Sequence, residues 1–488
     1  MAGVACGEFE SVIGLEIHAQ LRTATKIFCS CPAGHGADPN SSVCAVCLGL
    51  PGALPVLNSA AVDLAIRAAL ALGCVVHERS AFARKHYFYP DLPKGYQITQ
   101  YDRPLATGGL LPADMAGPAY PVRIERLHLE EDAGKSLHGP GAGTGTTGID
   151  FNRAGVPLVE IVTRPDLVSP ADAAAFFRRL RELLVAIEVN DGNLEAGNLR
   201  CDANVSVRRR TESTLGTRTE VKNLNSFRFL QKALEYEVAR QIDTITKGER
   251  VVAETRLWDG SRTVPMRSKE EEHDYRYFPE PDLPDLVVTP ERMASIARAL
   301  PAPPDRRRAE LVSEAGLTER DAVLFTLTHP GLDRYWEAVA AAAGDKRLAA
   351  NWVRGEAVAA MKAHDLIDAT MLASRVPAEQ LGSLVRLLAD GRVSGPTARE
   401  LFETMCATGR PLEEVLAISP VDRIDSEQDL EALVRRVVAE HPGPLGEYRA
   451  GRTKVFGFFV GQVVKASRGR ANTTLVNELV RRALDSDT

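Results

Sequence analysis

The chain has 488 residues, 44% hydrophobic and 25% charged, with a formal net charge of −6. That length supports two to four domains whose cores fold without covalent staples. The negative balance excludes wholesale coating of nucleic acid, though a local basic patch stays open. MAGVACGEFE has neither a basic start nor an apolar core, and no apolar run is long enough to cross a bilayer, so a cytoplasmic protein without a membrane segment is expected.

The first predicted strand, SVIGLEIHAQL, puts Glu16 and His18 on one face and Leu15 and Ile17 on the other. A carboxylate beside an imidazole binds a divalent cation or exchanges protons. Next comes a loop holding four of the eight cysteines, Cys29, Cys31, Cys44 and Cys47, as C-x-C, twelve residues, then C-x-x-C. Two close pairs in a reducing compartment favour a tetrathiolate zinc site over free thiols or a redox pair. Four sulfurs leave no open position, so such a zinc is structural. His35, between the pairs, is an alternative fourth ligand. AAVDLAIRAALALGCVV, with Asp63 and Arg67, reads as a packed helix.

ARKHYFYPDLPKGYQITQYDRP then mixes Arg84, Lys85, His86, Tyr87, Lys94 and Tyr96 with prolines. Cations among aromatics line an anionic pocket or stack a base; a rigid loop packed by its rings is the competing reading. The strand YPVRIERLHLE runs into HLEEDAGKS, with Glu130, Glu131 and Asp132. Acidic residues in strands are costly to bury without a cation or a basic partner, and clustered oxygen donors together with phosphates hold Mg²⁺. AGKS is not a P-loop, because Leu129 stands where that motif needs a glycine. GPGAGTGTTG, residues 139 to 148, reads as a hairpin connection, followed by FNRAGVP with Arg153 and the strand VPLVEIVT.

Ser169, Pro170 and Asp172 form a start signal for the helix ADAAAFFRRLRELLVAI. CDANVSVRR brings Asp202 and Asn204, and EVKNLNSF brings Lys222 and Asn223. In the next helix Phe229, Leu230, Ala233, Leu234 and Val238 form a stripe. EEEHDYRYFPEPDLPDL adds Asp274, Tyr275, Arg276 and Tyr277. The alternation throughout predicts an α+β domain on a largely antiparallel sheet. Residues 300 to 310, LPAPPDRRRAE, read as a linker, and beyond them the pattern is helical. From Tyr448 to Arg482 eight basic residues (Arg449, Arg452, Lys454, Lys465, Arg468, Arg470, Arg481 and Arg482) face one acid, Glu478. That is the footprint of a nucleic-acid contact, with a solvated basic face as the alternative.

These segments together resemble the B subunits of the tRNA-dependent amidotransferases. The runs that carry the resemblance are IGLEIHAQL, CSC…CAVCLGLPGALPVLN, RKHYFYPDLPKGYQITQ, RIERLHLEEDAGKS, DFNRAGVPLVEIV, EAGNLRCDANVSVR, TEVKNLNSF, DYRYFPEPDLP and GFFVGQVVKASRGRAN. The resemblance implies a glutamine-synthetase-like antiparallel-sheet cradle over residues 1–297 with the zinc loop, an all-α helical domain over 298–408, and a small helical tail over 409–488 that binds tRNA(Gln) or tRNA(Asn). It implies an ATP-hydrolysing ligase of the EC 6.3.5 class. The side-chain carboxylate of Glu-tRNA(Gln) or Asp-tRNA(Asn) is phosphorylated, and ammonia from a partner glutaminase (the amidase, or A, component) then amidates it, with a small C component bracing the assembly. It also implies Mg²⁺ on Glu16, His18 and Glu131, with Glu130 competing for the third place and Asp202 a further donor. Lys85 and Tyr87 are implied near the activated carboxylate, Arg153, Lys222 and Arg276 at phosphate, and zinc on the four cysteines. The alternative is a non-catalytic tRNA-binding scaffold within such a complex.

Overall fold

A computed structural model describes residues 7–34, 36–113, 120–137, 146–268, 275–313, 315–329, 331–364, 366, 369–418, 427–450, 452–467 and 473–485. The chain divides into two compact units, Met1–Pro303 and Pro304–Thr488.

The first unit holds strands β1 (Phe9–Gln20), β2 (Val75–Val76), β3 (Arg79–Ser80), β4 (Ala83–His86), β5 (Tyr96–Thr99), β6 (Ala106–Thr107), β7 (Leu110–Ala113), β8 (Tyr120–Glu131) and β9 (Lys135–Leu137). It continues with β10 (Gly148–Asp150), β11 (Pro157–Thr163), β12 (Leu199–Arg209), β13 (Thr219–Lys222), β14 (Glu254–Trp258), β15 (Thr263–Ser268), β16 (Phe278–Pro279) and β17 (Leu286–Val287). The main sheet runs β15-β14-β13-β12-β1-β11-β8-β5-β4-β16, and among the described pairs only β13 with β14 is parallel. This is the expected mixed α+β unit on a mostly antiparallel sheet.

The sheet has two chemically opposite faces. Ile13, Leu15, Ile17 and Ala19 of β1, Val159 and Ile161 of β11, Leu127 and Leu129 of β8, and Ala203 and Val205 of β12 are all buried in one apolar core. Helices α1 (Ser59–Ala71), α2 (Pro170–Ala186) and α3 (Phe227–Thr246) close that side, contributing Ala65, Phe176, Phe177, Leu180, Leu230 and Leu234. The Ser169 hydroxyl accepts from the Asp172 N–H at 3.1 Å, capping α2 ahead of Pro170. In α3 Leu230, Ala233 and Leu234 of the predicted stripe are buried and Val238 packs against the core, but the stripe also takes in polar residues. Phe229 is exposed, while Glu237 and Gln241 are fully buried. The cause is a polar network: Glu237 accepts from Arg240, Gln241 and Thr263, so the buried carboxylate is satisfied.

In the second unit every described element is helical, and no described helix is long and apolar enough to cross a membrane. The segment expected as a linker is helical from Pro304 to Ser313. Its proline stands in the first turn, where a missing N–H costs nothing. One core gathers Phe325, Trp336, Val339, Leu381, Leu384 and Phe402; another gathers Leu430, Val434, Phe459, Val463, Val476 and Val480. Gly382, in the helix Ala378–Ala389, lets it approach the helix Leu332–Ala343. A Cβ there would meet the Ala342 methyl and come within 2.8 Å of the Val339 carbonyl oxygen. Gly382→Ala is therefore expected to destabilise this unit by about 1–3 kcal/mol, read as a lower denaturant midpoint.

Candidate active site

The face of the sheet opposite the helices is polar, and strand register explains why. His18 lies opposite Arg200 on β12 and opposite Glu160 on β11. Glu160 in turn lies opposite His128 on β8, so one row crosses four strands. Glu130, two residues beyond His128, shares its face. Glu16 pairs with Asp202 one step along.

Within this row His18 Nε2 is 3.6 Å from Glu130 Oε1 and 3.3 Å from Glu160 Oε2. His128 Nε2 is 3.6 Å from the other Glu130 oxygen and 3.5 Å from Glu160 Oε2. The Thr99 hydroxyl donates to Glu130 Oε2 at 3.3 Å. His128, Glu130 and Glu160 are buried. Burial disfavours the charged form of His18, but its hydrogen bond to Glu160 and the charges of Glu160 and Glu130 outweigh that and raise its pKa to about 9. Burial likewise works against the Glu160 carboxylate, yet His128, the bond from His18 and Lys85 hold it well below the usual range. Adjacent ligands of a Mg²⁺ ion stand about 3 Å apart, so the spacing of His18, Glu130 and Glu160 suits one small cation, which would replace the proton that His18 otherwise holds. Their ligand atoms lie within 4.8 Å of one another.

Of the other predicted residues, Glu131 does not join this set. It accepts from Lys94 and from the Ile98 N–H. Glu16 accepts from Asn204 Nδ2 at 2.8 Å. Burial first, then the charges of Glu160, Glu220 and Asp202, raise the pKa of Glu16. Lys222 donates to Asp202 at 2.7 Å and lies 3.0 Å from Glu220. Arg153 donates to the Gly134 and Ala133 carbonyls at 2.6 and 3.0 Å and lies 3.6 Å from Asp132, tying the turn after β8. Arg276 is exposed at a φ of 44°, and its carbonyl oxygen is 3.1 Å from His86 Nδ1.

Lys85 acts on the Glu160 carboxylate through its charge, and its Nζ is 4.9 Å from the Tyr275 ring centre and 6.0 Å from that of Tyr87. Burial, and then Glu130, Glu131 and Asp132, raise the Tyr87 phenol. Tyr277 responds similarly, to burial and then to Glu160 and Glu130. Asp274 and His35 lie outside the described residues, as do Arg468, Arg470, most of the Gly/Thr tract and the Lys454 side chain. Glu160 and His128 escaped sequence reasoning. The signal for Glu160 was a lone acid in VPLVEIVT, a strand in which every residue is buried.

The four cysteines also converge, with their sulfurs within 4.8 Å of one another. Cys44 and Cys47 Sγ are 3.9 Å apart. Zn–S bonds of about 2.3 Å in a tetrahedron put sulfurs about 3.8 Å apart, so this donor set fits zinc. The Cys47 thiol is pulled down to about 4, first by its hydrogen bond with Cys29, against burial, and then by the Cys44 backbone and Lys26.

Residues 11–294 match the model of the GatB/GatE catalytic domain, and residues 334–484 match that of the GatB domain. The chain is 47% identical over 479 residues to the B subunit of the aspartyl/glutamyl-tRNA(Asn/Gln) amidotransferase of Myxococcus xanthus (strain DK1622), covering 98% of this chain and 99% of that one. It is 47% identical over 477 residues to the corresponding protein of Carboxydothermus hydrogenoformans, covering 97% and 98%. With that of Anaeromyxobacter sp. (strain K) it shares 48% over 483 residues, covering 98% and 99%.

Proposed function

The chain belongs to the family of aspartyl/glutamyl-tRNA(Asn/Gln) amidotransferase B subunits, and from that premise we propose how its residues divide the reaction. It is one component of an ATP-using ligase of the EC 6.3.5 class that converts misacylated Glu-tRNA or Asp-tRNA into Gln-tRNA or Asn-tRNA, and it works with GatA and GatC partners.

The polar face of the cradle binds the 3′ aminoacyl end and ATP. His18, Glu130 and Glu160 hold Mg²⁺, and His128 and Thr99 orient the two carboxylates. When bound, the ion neutralises phosphate charge and aligns the transferred phosphoryl group. A carboxylate does not react with ammonia at neutral pH, so the side chain first takes the γ-phosphoryl group of ATP to give an acyl phosphate and ADP; ammonia from the amidase partner then attacks the acyl carbon and expels inorganic phosphate. Lys85, held between Tyr87 and Tyr275, supplies the fixed cation for the reacting carboxylate or phosphate. Arg276 is the best placed of the remaining cations for phosphate, because Arg153 and Lys222 are committed to neighbours. Glu16 and Asp202, one row along, act outside the donor set. Zinc on Cys29, Cys31, Cys44 and Cys47 is structural.

The division into a glutamine-synthetase-like cradle (1–297), a helical domain (298–408) and a tRNA-binding tail (409–488) fits this assignment. Arg449, Arg452, Lys465, Arg481 and Arg482 supply the phosphate contacts of the tail. A reaction on tRNA in translation assigns the protein to the cytoplasm. The observation that carries the catalytic reading over a scaffold is the convergence of half-buried His18 with the buried Glu130 and Glu160. The test is transamidation by the assembled complex with its glutaminase inactivated and ammonium as donor. Gln-tRNA or Asn-tRNA is expected to form, and to fail with Glu130→Gln in an intact complex. Undiminished product with that variant would leave the scaffold as the better account.

A further inference from the structure

Lys26 is 0% exposed, one of the largest fully buried side chains of the protein. Its Nζ donates to the Ser42 carbonyl at 2.8 Å and to the Phe151 carbonyl at 3.4 Å. Both partners are neutral, and among the described residues no carboxylate pairs with it. A buried ammonium is costly without a nearby anion. The surroundings identify where that anion arises. Lys26 N–H donates to the Cys31 carbonyl at 2.9 Å. The position that a Cβ on Gly155 would occupy is 3.5 Å from both Lys26 Cδ and Cys47 Cβ and 3.9 Å from Glu131 Oε2; the Glu131 carboxylate is already paired with Lys94, and the glycine has a φ of +83°. Ser42 lies inside the cysteine loop, and Phe151 lies in the segment against which that loop docks.

We propose that Lys26 is the counter-cation of the four-cysteine metal centre. Four thiolates around a divalent ion leave two negative charges in a poorly solvated loop, and the Lys26 ammonium offsets one of them. The residue thereby governs how tightly the metal is held, beyond joining Ser42 to Phe151 as a strut. This rests on the reading of the cysteines as a zinc centre. Outer partners of a metal site are worth roughly 10–100-fold in metal affinity.

The experiment uses the full chain as wild type and as Lys26→Met, which keeps the length and apolar stem of the side chain without its charge. Zinc content comes from elemental analysis, affinity from competition with a chromophoric chelator, and melting temperature from the zinc-loaded and stripped proteins. Lys26→Met is expected to bind zinc at least about tenfold more weakly, and to lose more stability relative to wild type when zinc-loaded than when stripped, because the lost affinity lowers the stability of the zinc-loaded protein alone. A strut predicts the opposite signature, equal losses of stability with and without zinc, and that result overturns the proposal. Equal zinc affinities overturn it too and leave the zinc centre standing. A wild-type chain that binds no zinc removes the metal centre itself, and this role with it. If Lys26→Met does not accumulate folded, Lys26→Gln, which retains a donor for the Ser42 carbonyl, is read in the same way.

Discussion

Glu160→Gln is expected to lower ammonium-dependent amidation at least about 100-fold in a complex that still assembles and still hydrolyses glutamine. The carboxylate stands between two imidazoles, 3.3 Å from His18 Nε2 and 3.5 Å from His128 Nε2. A carboxamide has nearly the same shape but no charge, so the two rings lose the anion that orients them and the cation loses a ligand. Direct Mg²⁺ binding separates this from a folding defect. Glu160→Gln is expected to weaken it strongly, whereas Glu131→Gln changes it only a few-fold, because Glu131 is engaged by Lys94 and the Ile98 N–H. Equal effects of the two variants on Mg²⁺ affinity would refute the assignment of Glu160 over Glu131.

Loss of zinc is the second large effect. Cys44→Ser together with Cys47→Ser, or prolonged chelation, is expected to open the loop and speed its cleavage by an added protease at least about tenfold. The loop has little apolar packing of its own and is held by polar ties to its neighbours. Asn40 Nδ2 donates to the Ile149 carbonyl at 2.9 Å, and Ser42 N–H to Asn152 Oδ1 at 2.8 Å. Ile27 N–H donates to the Gly155 carbonyl at 2.9 Å. That docking segment leads directly into β11 and Glu160, so activity is expected to fall with the loop even though no cysteine touches substrate. Unchanged proteolysis after verified zinc removal would show that the centre does not hold the loop.

Much of this site was legible in the sequence. The period-two pattern of SVIGLEIHAQL set Glu16 and His18 on one face, and the C-x-C and C-x-x-C pairs marked the four cysteines whose sulfurs converge. The same alternation in LHLEE separates Glu130 and His128 from Leu127, Leu129 and Glu131. That parity puts Glu130 on the face of His18, although the sequence reading places Glu131 third and Glu130 as its competitor. Glu160 was a different case. VPLVEIVT reads as a strand, and only its pairing with β1 and β8 brings the acid between two histidines. Cross-strand register is a property of long-range pairing, so periodicity within a segment does not contain it. The stripe of α3 takes in polar residues for a related reason: Glu237 and Gln241 are buried because their partners come from elsewhere in the fold.

The two-faced sheet also makes the reactive groups hostage to chain phase. Deleting one residue within β11 would advance every later side chain by half a pleat. If the deleted residue precedes Glu160, that acid would then point into the apolar core that holds Val159 and Ile161, and Ile161 would take its place between the histidines. No compensating substitution at one position repairs such an inversion, because successive side chains of a strand point to opposite faces of the sheet. Changes of length are therefore tolerable in the connections of this protein, while its central strands accept exchanges only letter for letter.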